Sequence, residues 1–185
     1  GNIRGLQTRY NADHIALFGQ IAHDLDAHTR VTLGLRTERV DLDGRGIKTR
    51  YRTARKTFDP EVTFHPVFDD DLLGGKLSLE HDLSDHEVAF ASVTRGYKAG
   101  GINVDARISP PADPLTYGTE TLWNYEVGVR GNWLERRLVG EFTAFYLARR
   151  ATQVRDSAGF GGNYRFFTAN GGDAHISGLE ASANY

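Results

Sequence analysis

The 185-residue chain has no cysteine, no methionine, five prolines and only four lysines. Without cysteine there is no disulfide, no thiolate metal site and no cysteine nucleophile. A chain without methionine is expected to be a mature protein or a piece of a longer one, and no signal peptide is visible at its start. Long apolar runs are also missing. Residues 142–148 form one of the longest uncharged apolar stretches, far short of the roughly 18 residues of a membrane-spanning helix. A helical membrane protein is therefore excluded. The net charge is −2, so no strong basic field argues for a nucleic-acid partner. The lysine shortage leaves 18 arginines among the 22 basic residues, a bias toward side chains that bind oxyanions in a bidentate fork.

What is present is glycine (21), phenylalanine (10) and tyrosine (8), arranged with a period of two. Val31, Leu33 and Leu35 alternate with Thr32, Gly34, Arg36 and Glu38. Trp123, Tyr125, Val127 and Val129 alternate with Asn124, Glu126, Gly128 and Arg130. Leu77 and Leu79 alternate with Lys76, Ser78 and Glu80. Such alternation marks strands with one apolar face. Residues 138–154 are apolar on both faces and fit a helix on length alone. Their β-branched and aromatic content (Val139, Phe142, Thr143, Phe145, Tyr146) favours a strand. The expected spanning strands are His14–Leu25, Thr29–Asp41, Leu73–Leu83, Glu87–Lys98, Thr121–Trp133, Arg137–Arg155 and Asn163–Tyr185.

Short polar turns at 24–28, 82–86 and 133–136 alternate with long loops at 41–72 and 100–121. Loops this long count against a compact soluble domain. They suit an outer-membrane barrel, where short periplasmic turns alternate with long external loops. Charged inner faces and aromatics near strand ends (Trp123, Trp133, Tyr97, Tyr185) point the same way. A lipid-facing arginine costs about 2–4 kcal/mol at the membrane midplane, so a barrel requires Arg36 and Arg130 to face the lumen. A soluble β-sandwich, with the apolar face against a second sheet, stays open on periodicity alone.

The stretches Ala91-Ser92-Val93-Thr94-Arg95-Gly96-Tyr97-Lys98-Ala99-Gly100-Gly101-Ile102-Asn103 and Glu120 through Leu134 resemble the C-terminal barrel region of TonB-dependent outer-membrane receptors. Phe142-Thr143-Ala144-Phe145-Tyr146 and Asn170 through Glu180 look like the blocks that follow. Phe18-Gly19-Gln20 and Leu33-Gly34-Leu35-Arg36 look like the preceding hairpin. One departure is Tyr117-Gly118-Thr119-Glu120, where the family's usual proline is missing. The resemblance implies an all-β fold: antiparallel strands of a transmembrane β-barrel, about seven of an expected 22, with the plug domain absent from these residues. It implies a non-enzymatic receptor in the bacterial outer membrane, energised through TonB. The partners would be TonB, outer-membrane lipid, lipopolysaccharide and a small ligand, a ferric siderophore by default. Cobalamin, haem or oligosaccharide are alternative ligands. A soluble β-sandwich binding module and a small closed outer-membrane barrel are the competing functional readings.

Enzymatic motifs fail one by one. His86-Glu87-Val88-Ala89-Phe90 lacks the second histidine of a zinc protease. Gly74-Gly75-Lys76-Leu77 lacks the residues of a phosphate loop. Gly159-Phe160-Gly161-Gly162 has no following helix and is no dinucleotide fingerprint. His81, Asp82, Ser84, Asp85 and His86 crowd a single turn, which is no basis for a triad. Asp69-Asp70-Asp71 near His65 has the oxygen-rich character of a hard-cation site, but a solvated acidic loop is the simpler expectation, so no metal or cofactor is assigned. Ligand contacts are expected from the external loops: Arg50, Arg52 and Arg55 in the first, Arg107 and Tyr117 in the second. Arginines there can pair with oxygens of an anionic metal chelate.

Overall fold

The computed structural model describes residues 2–104, 108, 112–160 and 164–185. Seven long strands form one antiparallel sheet in the order β1 (Asn2–Asp24), β2 (Thr29–Arg52), β5 (Val67–Ser84), β6 (Glu87–Lys98), β9 (Glu120–Trp133), β10 (Leu138–Arg150) and β13 (Ala174–Asn184). Two short strands, β3 (Thr57–Phe58) and β4 (Val62–Phe64), add to the outer part of β2. Two ribbons stand apart: β7 (Gly101–Ile102) with β8 (Thr116–Tyr117), and β11 (Gln153–Ala158) with β12 (Arg165–Asn170).

The register explains the alternation. Val31 and Leu33 of β2 lie opposite Leu79 and Leu77 of β5. The same rows continue through Ala91 and Val93 of β6, Val127 and Tyr125 of β9, and Ala144 and Tyr146 of β10. The first row ends at Leu179 of β13. Leu77, Val127 and Leu179 are more than half exposed, and water would penalise each. A lipid-facing band accounts for them. Trp123, Tyr125 and Tyr146 form a run of ring contacts at the upper edge of this band, with His175 at its end. Trp133 marks the lower edge, its indole N–H donating to Glu87 Oε1 at 2.5 Å. Eight residues of β9 separate Tyr125 from Trp133. At about 3.3 Å per residue and a tilt near 40°, that is roughly 20 Å, close to the height of a barrel's apolar band.

Arg36, Glu126 and Arg130 occupy the opposite, lumenal face, as the desolvation argument requires. There Arg130 pairs with Glu80 at 2.7 Å and lies over the Phe90 ring. Ser92 and Asn124 both donate to Glu126. Among the described residues no second large sheet packs against the apolar outer face. The sandwich reading falls.

Several boundaries differ from the sequence expectation. β1 begins at Asn2 and β2 runs to Arg52, so most of the expected first loop is paired strand. Above the membrane neither face needs to be apolar, and the alternation that reveals a spanning strand fades there. β7 and β8 lie inside the expected second loop. The expected strand Arg137–Arg155 ends at Arg150, because Ala151 adopts φ 52° and turns the chain into β11. The expected final strand divides into β12 and β13 around Gly171-Gly172, and its first residue, Asn163, is outside the described set. Gly161 and Gly162 of the glycine-rich turn fall outside it too. Tyr97, expected in the aromatic girdle, leaves it. Its ring lies over Gly74, where a Cβ would come within 3.1 Å of it, and its hydroxyl donates to Glu38 at 2.9 Å.

Candidate functional site

The loop-side mouth of the sheet is where packing and polar contacts concentrate. Val40, Leu42 and Leu72 are buried there, with Phe68, Tyr97 and Ala99 against them. Their cover comes from the loops: Pro66 and Ile102 approach the bare Cα of Gly44, and the Phe64 ring lies across Gly46. Just below, Glu38 accepts hydrogen bonds from Arg36 and Tyr97 and contacts His14. Phe18 lies against the Arg36 guanidinium. The Glu38 carboxylate is thus fully engaged and holds three strands, β1, β2 and β6, to one point.

A second set of contacts fastens the β11–β12 hairpin to this mouth. Glu120 is almost entirely buried; it accepts from Arg149 Nε at 2.7 Å and from the Gln153 backbone N–H at 2.7 Å. The Gln153 carboxamide donates to the carbonyls of Lys98, Ala99 and Gly118. Asn103 bonds the Thr168 backbone from both sides, its Oδ1 accepting from the N–H and its Nδ2 donating to the carbonyl. Asp113, also buried, pairs with Arg165. Asn170 exchanges bonds with the N–H and carbonyl of Gly118. A two-stranded ribbon of six residues a side is marginal alone. These clamps give it a fixed position.

The expected ligand contacts do not form one site. Arg52 pairs with Asp59 at 2.5 Å and Arg50 approaches the same carboxylate at 3.7 Å. That hydrogen bond from Arg52 holds the Asp59 carboxyl below its ordinary value, with smaller help from Arg50 and Arg55. Arg55 sits exposed in the adjoining turn. Tyr117 lies elsewhere, in the β7–β8 ribbon against Gly101. Arg107 lies outside the described residues. Asp69 and Asp71, weighed as cation ligands, pair with Arg39 instead, at 3.2 and 3.1 Å. Among the described residues no cluster of carboxylates and imidazoles has metal-binding geometry.

Comparison with known proteins places this architecture. The family model described as TonB dependent receptor-like, beta-barrel, matches residues 2–185. The chain belongs to the TonB-dependent receptors. It is 28% identical over 170 residues to the pesticin receptor of Yersinia pestis, covering 89% of this chain and 24% of that protein. The crystal structure of the ferric yersiniabactin uptake receptor FyuA from Yersinia pestis superposes with a TM-score of 0.74 at 19% identity, over 97% of this chain and 25% of that one. The ferric-catecholate import receptor Fiu from E. coli K12 follows at 0.66 and 12%, over 95% and 26%. The copper transporter OprC gives 0.64 and 19%, over 93% and 26%. The chain thus spans about a quarter of the length of each of these proteins.

Within this TonB-dependent receptor barrel, the engaged residues Glu38, Glu120, Asn103 and Asp113 were not singled out from sequence. Glu38 carried one readable signal, its position two residues from Arg36 on the charged face. The others carried none, because Arg149, Thr168 and Arg165, the partners that fasten them to other elements, lie 29 to 65 residues away.

Proposed function

We propose that this chain supplies wall and mouth to an active-transport receptor that takes up a scarce ligand, a ferric siderophore, with energy delivered through TonB to a plug outside these residues. The observation that carries the reading is the match of the family's barrel over residues 2–185. Relatives described as receptors for ferric yersiniabactin and ferric catecholates support the ligand class. Arg50, Arg52, Arg55, Arg107 and Tyr117 remain the ligand-contact candidates, with one restriction. Arg52 already holds Asp59, so an anionic chelate must compete with that carboxylate for it. The barrel performs no covalent chemistry in this scheme; it shapes the mouth, orients the ligand and excludes other solutes.

The test is uptake of 55Fe-labelled ferric enterobactin and ferric yersiniabactin by iron-starved cells that carry the intact receptor gene. Uptake of at least one complex should vanish on deleting either that gene or the gene for TonB. Equal uptake of both complexes with and without the receptor gene would overturn the proposal.

A further inference from the structure

The register places two arginines on the outward face of the sheet, at the loop-side edge of the apolar band. Arg95 of β6 lies opposite Trp123 of β9 and shares its row. Arg150, the last residue of β10, lies opposite Thr121, one row nearer the loops. Residues paired in this way share one face of a sheet, so both arginines belong with Trp123, Tyr125 and Tyr146. Arg149 is on the other face and pairs with Glu120. Arg39, Arg52 and Arg165 also sit on carboxylates. Among the described residues no carboxylate pairs with Arg95 or Arg150; Asp173 comes near, but it accepts from the Ala151 N–H instead. The Nη1 atom of Arg95 is buried and has no hydrogen-bond acceptor among the described residues, while Arg150 is exposed. Below them the outward face is not smooth. Ala91 and Ala144 leave a shallow groove of about 540 Å³, walled by Leu77, Leu79, Tyr125 and Val127.

We infer that this outward face is a binding site for a phosphorylated glycolipid of the outer leaflet, a bis-phosphorylated lipid A. Its phosphates rest on Arg95 and Arg150 and one acyl chain lies in the groove below. An arginine on a lipid face is costly at the midplane, but at the band's edge the cost falls nearly to zero, and the long side chain lifts its head toward the headgroups. There a phosphate oxygen supplies the acceptor that Arg95 lacks, and a planar guanidinium takes two such oxygens at once. Two strands and one row separate the arginines, so ladder geometry sets their Cα atoms roughly 12 Å apart. A disaccharide with a phosphate at each end spans such a gap, whereas the single phosphate of a phospholipid engages one arginine only. The groove adds shape. Lipid tails are as apolar as leucine, so filling it brings no hydrophobic gain over bulk lipid, and the chain is held by close packing. Trp123, Tyr125 and Tyr146 continue the site at headgroup height, where rings with a polar edge are favoured. The inference rests on the barrel's place in the outer membrane and is independent of which ligand the receptor takes up.

The experiment titrates the purified full-length receptor in detergent with bis-phosphorylated hexa-acyl lipid A, its monophosphorylated form and phosphatidylglycerol, and counts bound lipids by native mass spectrometry. The wild type should bind the bis-phosphorylated form most tightly. Arg95→Ala and Arg150→Ala should each weaken that binding about fivefold and bring it close to the monophosphorylated form. Ala144→Leu, which fills the groove, should weaken both lipid A forms and keep the preference between them. Arg150 is exposed, so its variant should match the wild type in heat-modifiable migration. Arg95→Lys keeps the charge without the fork, should fall between, and serves in place of Arg95→Ala if that variant does not fold. Unchanged affinity for the bis-phosphorylated form in the Arg95 and Arg150 variants overturns the site. Equal wild-type affinity for all three lipids also overturns it, as the mark of ordinary surrounding lipid. Tighter binding of phosphatidylglycerol than of either lipid A overturns it in favour of a phospholipid. Each of these results leaves the uptake role standing.

Discussion

Single residues in this wall are constrained by the space their neighbours leave. Gly128 is the sharpest case: a Cβ there would stand 2.5 Å from the Phe142 carbonyl oxygen and 2.5 Å from the Phe90 ring. One of those atoms belongs to the backbone and cannot swing aside. Gly128→Val should therefore cost about 1–3 kcal/mol, read as a lower heat-modifiability midpoint of the full receptor. Gly19, with nothing near its Cα, should accept alanine with little change. Asp59 gives a pH-dependent counterpart. Its carboxyl is held below the ordinary value by Arg52, so the ionised form is favoured in the folded ribbon. The contribution is present above the unfolded value of 3.8 and disappears as pH falls through the lowered folded value. Amide exchange at residues 50–59 should accelerate as pH falls below about 4, beyond the intrinsic pH trend, and Asp59→Asn should show that acceleration already at neutral pH.

Strands obey a different rule, set by which face meets lipid. Val127 and Glu126 are neighbours in β9, yet substitutions at the two positions should differ in cost. Val127→Arg lies in the lipid band and should cost about 2–4 kcal/mol near the midplane. Glu126→Gln changes the wet face and leaves Ser92 and Asn124 with a neutral acceptor; its effect should stay below about 1 kcal/mol. Folding yields in detergent titrated with urea would separate the two. This face rule is also what made the spanning strands legible. Val31-Leu33-Leu35 and Trp123-Tyr125-Val127 announce themselves because lipid admits only apolar groups on one side. Outside the membrane the rule lapses, which is why the outer half of β2, with Asp43, Arg45 and Lys48 among its residues, read as loop. The break at Ala151 was equally hidden. A left-handed alanine has no compositional signature, and the bond that supports it, from its N–H to Asp173, crosses 22 residues. Arg50, Arg52 and Arg55 were found as charges, but Asp59, which decides how available they are, drew no notice.

At the scale of the molecule, the sheet is open. β1 and β13 are its two edges and do not pair with each other. Unpaired edges of this length template association, so residues 1–185 produced alone should aggregate or stay unfolded in detergent, while the same residues within the full receptor gain protection. A monomeric, heat-modifiable 185-residue fragment would contradict this. The rim of the wall is also uneven. From Asp41 onward β2 is polar apart from Leu42, Ile47, Tyr51 and its glycines, while β1 and β2 stay paired up to Asn2↔Arg52. About eleven residue pairs above the bilayer, at roughly 3.3 Å each and a similar tilt, give a blade near 28 Å tall. On a cell coated with sugar polymer, height decides what large visitors can touch. Antibodies and other bulky proteins too wide to enter the brush would meet this blade well before they met the recessed mouth, so the part of the wall farthest from the lumen is the part the outside world sees first.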